Sequence, residues 1–148
     1  MGDAAQRRRR VRAWTALGLW IVLILLASSD VFSSANTQIW IGQPQPRGTT
    51  APAHVALRTL LHLIEYGVLG FLAFRALALA AGRGGVAAAG LGALLALTVS
   101  ISDETLQGYQ PNRGGSPRDV VLNLFGAVGG TSLAAVRFAR RSRGRTGA

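Results

Sequence analysis

Residues 53–81 read AHVALRTLLHLIEYGVLGFLAFRALALAA, an apolar run broken by Arg58, His62, Glu65 and Arg75. Charged interruptions ordinarily argue against a membrane span, but the spacing here reverses that reading. Arg58 and Arg75 stand 17 positions apart, which is about 25 Å of helix at ~1.5 Å per residue. Their guanidinium groups can therefore snorkel to opposite interfaces and bracket the hydrocarbon core. The expected span covers about 56–80 and holds His62 and Glu65 roughly 6 and 10 Å along from Arg58.

Three more apolar runs lie outward from this one. AWTALGLWIVLILLASS, residues 13–29, has 17 residues without a charge, close to what a bilayer core requires. RRRRVR precedes it, so a signal peptide is the alternative. A retained anchor is the reading here, because the run is long for a signal sequence and Ala27-Ser28-Ser29 fits the cleavage pattern only loosely. Residues 85–101, rich in alanine and glycine, form the third expected span, and residues 120–139 the fourth. Between the first two, residues 30–52 are polar and turn-rich, with Gln43-Pro44-Gln45-Pro46 reading as a short extended loop outside the bilayer. Trp14, Trp20 and Trp40 read as interfacial or lipid-facing anchors.

The charges set the expected orientation. Sixteen basic residues, all arginine, face six acidic ones for a net charge of +10, which at first suggests nucleic-acid binding. Ten of the sixteen, however, sit in the first twelve and last twelve residues, and the remaining six oppose five acids, leaving the middle at +1. That leaves no basic face for a duplex, so nucleic acid is not an expected partner. Basic clusters beside apolar runs follow the positive-inside rule. With the N-terminus inside, twelve arginines fall on the cytoplasmic side and four (Arg47, Arg58, Arg113 and Arg118) outside. The expectation is an all-α polytopic membrane protein, a bundle of four transmembrane helices with both termini cytoplasmic. Residues 1–12 and 140–148 are arginine-rich tails, and residues 13–139 form the transmembrane domain.

This topology carries the polar residues to one end. The second span enters from outside at His62 and Glu65, and the third leaves into Ser102-Asp103-Glu104. The segment TLQGYQPNRGGSPRD then returns to the fourth span at Asp119. Helical spacing puts His62, Glu65, Tyr66 and Leu69 on one face, and Asp119, Asn123, Gly126 and Gly130 on another. The last two form a G-x-x-x-G that permits close packing. Ionisable groups at membrane depth are costly and usually face a bundle interior with partners. The functional reading is an outward-facing polar pocket. Arg113 and Arg118 would receive an anionic group there, while His62 and Glu65 act as an acid–base pair. Asp103, Glu104 and Asp119 would orient arginines or hold a metal, and Tyr66, Gln107 and Asn123 would form hydrogen bonds. The competing reading is internal pairing, with Arg58 on Glu65 or Asp119 and Asn123 linking helices. Ser116, Pro117 and Asp119 also read as a helix start: cap, first-turn proline and an acid on the favourable dipole end.

Catalytic motifs are sparse. Without cysteine there is no thiol nucleophile, disulfide or cysteine-bound metal. No G-x-S-x-G, phosphate loop, dinucleotide fingerprint or zincin spacing occurs. His62, Glu65, Asp103, Glu104 and Asp119 are oxygen and imidazole donors suited to zinc or magnesium, but H-x-x-E alone assigns no metal, and no cofactor is specified.

Three stretches in order, HLIEYGVLGFL from His62, DETLQ from Asp103 and RGGSPRDVVLNLFGAVGG from Arg113, make the chain resemble the VanZ-like family. The resemblance covers Ala13 to about Gly130. Its characteristic positions fall on His62, Tyr66, Leu69, Gly70, Glu104, Gln107, Arg113, Ser116, Asp119, Asn123, Gly126 and Gly130, and Glu65 also fits. The resemblance implies a small multipass protein of the bacterial envelope, in the plasma membrane, from a family named for a member linked to teicoplanin resistance. The expected partners are the lipid bilayer and an anionic lipid or lipid-linked cell-wall precursor, recognised or modified at the outer pocket. The alternative is a non-enzymatic binding, sensory or assembly subunit whose polar cluster is structural. A homo-oligomer through the glycine-rich third or fourth span is a further expectation.

Overall fold

Four helices account for the chain's regular structure in the computed structural model, which describes residues 2–29, 52–82, 84–110 and 114–146. They are α1 (Asp3–Ala27), α2 (Pro52–Ala81), α3 (Val86–Gly108) and α4 (Pro117–Thr146), with no strand among the described residues. The expected extended loop, Trp40, Arg47 and Arg83 lie outside those residues. Each helix holds a segment long and apolar enough to cross a membrane. Apolar side chains also cover their outer faces: Leu19, Leu23 and Leu26 on α1, Leu60 and Ile64 on α2, Leu91 and Leu94 on α3, and Phe125 and Leu133 on α4 are all exposed. Helices apolar all round suit lipid rather than water as their surroundings.

Short connections join α2 to α3 and α3 to α4, and neighbouring helices run in alternating directions. α2 ends at Gly82, whose φ of 69° is the left-handed conformation that closes a helix without Cβ strain. Cross-links between distant residues fix the register. The Arg10 Nε–H donates to the Leu79 carbonyl (2.9 Å) near the end of α2, and Ser28 reaches Asp103 near the end of α3. The starts of α1 and α3 therefore share one end of the bundle with the ends of α2 and α4. The opposite end gathers the C-termini of α1 and α3 with the N-termini of α2 and α4.

The core is built from small residues. A stripe on α3, Ala88, Gly92, Ala96 and Ser100, is buried at four-residue spacing and continues into Asp103, Glu104 and Gln107. α2 packs most extensively on α4, and glycines explain why. A Cβ on Gly126 would meet the Leu63 carbonyl, one on Gly130 that of Gly67, and one on Gly70 that of Ala127. The G-x-x-x-G face of α4 thus lies backbone to backbone against α2, as its spacing leads one to expect. Close approach here is what lets the short polar side chains nearer the helix ends touch across the interface.

Candidate functional site

Asp119 lies in the first turn of α4 and is buried. Ser116 occupies the position before the helix, and its carbonyl accepts from the amides of Asp119 and Val120. Its own N–H donates to Glu104 Oε2 at 2.8 Å, so a carboxylate from α3 satisfies a donor that a helix start otherwise leaves open. Neighbouring Gly115 sits so close to the Glu104 carbonyl that a Cβ there would collide with it. The turn entering α4 is therefore pressed onto the end of α3.

Across the α2–α4 interface, Arg58 donates to Asp119 Oδ2 at 2.7 Å, with the arginine side chain 53% exposed and the aspartate side chain 12% exposed. His62 Nε2 lies 3.9 Å from the same oxygen. Asn123, fully buried one helical turn further along α4, lies against the His62 ring and donates through Nδ2 to Ser100 Oγ on α3 at 2.9 Å. The arrangement runs from a half-exposed guanidinium through a shared carboxylate to an imidazole and an amide.

A second set centres on Asp103, which is 1% exposed. Ser28 Oγ at the C-cap of α1 (2.9 Å), Gln107 Nε2 on α3 (3.0 Å) and Tyr66 Oη on α2 (3.4 Å) all donate to its Oδ2. One oxygen thereby ties three helices together. Its other oxygen has no partner, nor do Glu104 Oε1, Gln107 Oε1, Asn123 Oδ1 and His62 Nδ1, all of them buried. Oxygen acceptors dominate that set, and buried acceptors without donors are uncommon in folded proteins.

Most of the sequence-expected residues thus meet at one end. His62, Tyr66, Asp103, Glu104, Gln107, Ser116, Asp119 and Asn123 converge there from three helices. Arg118 is exposed on the outer surface of the first turn of α4, and Arg113 lies outside the described residues. Glu65 is half-buried, and its backbone carbonyl accepts the Trp20 indole N–H at 3.0 Å. Trp20 is accordingly a link between α1 and α2. The carboxylate facing the His62 Nε2 edge is that of Asp119, supplied by another helix. Ser28 and Ser100 join the site without having been singled out for it, whereas Arg58 meets Asp119 as one of the two internal pairings expected of it. Ser100 could have been found by its position one turn before Asp103 on the same face; nothing local marks Ser28.

Atoms of His62, Glu104 and Asp119 that could bind a metal lie within 4.8 Å of one another. Around one zinc ion, ligands at about 2.0–2.2 Å are no more than roughly 4.4 Å apart. These are the described residues that could hold a divalent cation after a small closure, and Arg58 already supplies positive charge at the same Asp119 oxygen.

A sequence model of the family described as VanZ/LLP1 matches residues 7–138. No curated protein and no solved structure matches the chain.

Proposed function

The chain belongs to the VanZ/LLP1 family and is a multipass membrane protein, and from that premise we propose that its polar end recognises or modifies an anionic lipid or lipid-linked envelope component. On this reading both termini are cytoplasmic, the site opens to the outer leaflet of the bacterial plasma membrane, and the arginine bias of the tails supports that orientation. One observation carries the proposal. A half-exposed guanidinium, Arg58, stands before a lining of buried oxygen acceptors that lack donors. The anionic group of the ligand meets Arg58 and the exposed Arg118, while hydroxyl or amine donors behind it reach Glu104, Gln107 and Asn123. The His62 imidazole, whose Nε2 lies 3.9 Å from Asp119 Oδ2, is the group placed to move a proton if the ligand is transformed.

A specific observation also favours a structural role for part of the cluster. Asp103 accepts from three helices at once, as expected of a side chain that holds a bundle together. We therefore divide the site: Asp103 positions the helices, and the Arg58–Asp119–His62 array meets the ligand.

The test is native mass spectrometry of detergent-extracted protein beside an Arg58→Gln, Arg118→Gln variant. The expected outcome is loss of one bound phosphorylated lipid from a variant that keeps its helical circular dichroism. Identical lipid retention by both proteins would leave the polar end without its ligand and favour the non-enzymatic, structural reading. A His62→Ala variant adds a second readout: turnover lost with the lipid still bound assigns it to chemistry, whereas loss of the lipid assigns it to binding.

A further inference from the structure

We propose that the end of the bundle opposite the polar cluster holds a second site, which binds an anionic phospholipid. Helix alternation brings together the start of α1 and the ends of α2 and α4, and the Arg10–Leu79 hydrogen bond holds the first two in register. Between them lies a cavity of about 700 Å³, within the range of roughly 300–1,000 Å³ usual for small-molecule sites. Arg9 and Arg12 from α1, Arg75 from α2, and Arg137 and Arg141 from α4 line it, and no carboxylate does. The positive-inside rule explains why arginines are common at a cytoplasmic end. It does not require five of them, from three helices, to surround one space.

The floor of the cavity points to an amphiphile. Phe71, Phe74, Leu79 and Phe138 form it, with the Phe74 and Phe138 rings edge to face at 6.2 Å. The Arg137 guanidinium lies 5.7 Å from the centre of the Phe71 ring, a cation–π contact that holds a charge beside apolar surface. Guanidinium groups match phosphate oxygens in pairs. A basic rim over aromatic and aliphatic surface, between membrane-spanning helices, is complementary to a phosphodiester with acyl chains attached. A free phosphate would use the rim and leave the floor without a role. An acid-free group of five like charges also repels itself, and a bound anion relieves that repulsion.

The experiment measures thermal unfolding of the detergent-solubilised protein with added phosphatidylglycerol, phosphatidylcholine or inorganic phosphate. The expected result is a rise in Tm with phosphatidylglycerol alone, since a ligand that binds only the folded state stabilises it. In an Arg75→Gln, Arg137→Gln variant the apparent affinity should fall by at least about tenfold. An Arg7→Gln, Arg140→Gln variant, which removes the same charge from the same end but outside the cavity lining, should retain it. If the Arg75, Arg137 variant does not fold, Arg9→Gln with Arg141→Gln replaces it. An equal response to phosphatidylcholine, a full response to inorganic phosphate, or the same loss in both variant pairs would overturn the proposal. The Arg58→Gln, Arg118→Gln variant should keep this response, which separates the present site from the one at the polar end.

Discussion

At one end of the bundle Asp103, Glu104 and Asp119 are each less than a tenth exposed, and each accepts at least one hydrogen bond from another helix or from the turn before one. At the other end five arginines border a cavity that contains no carboxylate. The difference teaches where each kind of charge is held by the fold. Carboxylates are short, so they are buried only where helices touch closely and supply donors. Arginines are long and reach water or lipid phosphate while their stems lie along apolar surface. Charge at the polar end is thus built into the packing, whereas charge at the arginine end awaits an external partner.

That contrast predicts unequal costs for removing charge at the two ends. The largest effect is expected for Asp103→Ala, which strands three donors; at roughly 1–3 kcal/mol for each buried group left unpaired, the loss should be about 3 kcal/mol or more. The counterpart Arg141→Ala should change stability by less than about 0.5 kcal/mol. Unfolding of both variants in the same detergent checks the pair, and equal losses would break the comparison.

Packing can be separated from charge by two neighbouring glycines. A Cβ at Gly130 meets the Gly67 backbone, while one at Gly129 meets nothing. Gly130→Ala should cost about 2 kcal/mol through overpacking against a backbone that cannot yield. Gly129→Ala should be neutral or stabilising by up to about 1 kcal/mol, because alanine is the better helix former. A large loss at Gly129 would mean that close helix approach is not what organises this interface.

Arg58 and Asp119 sharpen the comparison further, since their pair is half in each regime: an exposed cation on a buried anion. A double-mutant cycle with Arg58→Gln and Asp119→Asn should give a coupling of about 1 kcal/mol, between the values typical of surface and of buried pairs. The smallest effect belongs to the arginine end. Raising salt from low ionic strength to about 0.5 M should raise stability by a few tenths of a kcal/mol as like charges are screened. The Arg75→Gln, Arg137→Gln variant should show less of this rise.

Much of the architecture was legible before any coordinates. The 17-residue interval between Arg58 and Arg75, the glycines of α4 and the Ser116-Pro117 helix start each pointed to a feature that the fold contains. The start of α1 was less visible. Hydropathy marks residues 13–29, yet the helix begins at Asp3, because arginine is a good helix former and continues the helix beyond the apolar run. Within the candidate site, the sequence identified most of the polar residues and their common end, but paired them by local spacing. His62 and Glu65 share a helical face, so they read as partners, although the aspartate facing His62 comes from α4.

The amino-acid sequence alone therefore implies four apolar spans, a common end for most polar residues of the site, and the faces available for close contact. Those follow from residue type and from the 3.6-residue period, which act within one helix. Tertiary packing sets Asp119 against Arg58 and His62, gathers Ser28, Tyr66 and Gln107 on one oxygen of Asp103, and draws five scattered arginines around one cavity. Those partnerships depend on how each helix is rotated and which neighbour it touches. Both are set by glycine-lined backbone contacts between segments some 60 residues apart in the chain, such as Gly67 and Gly130.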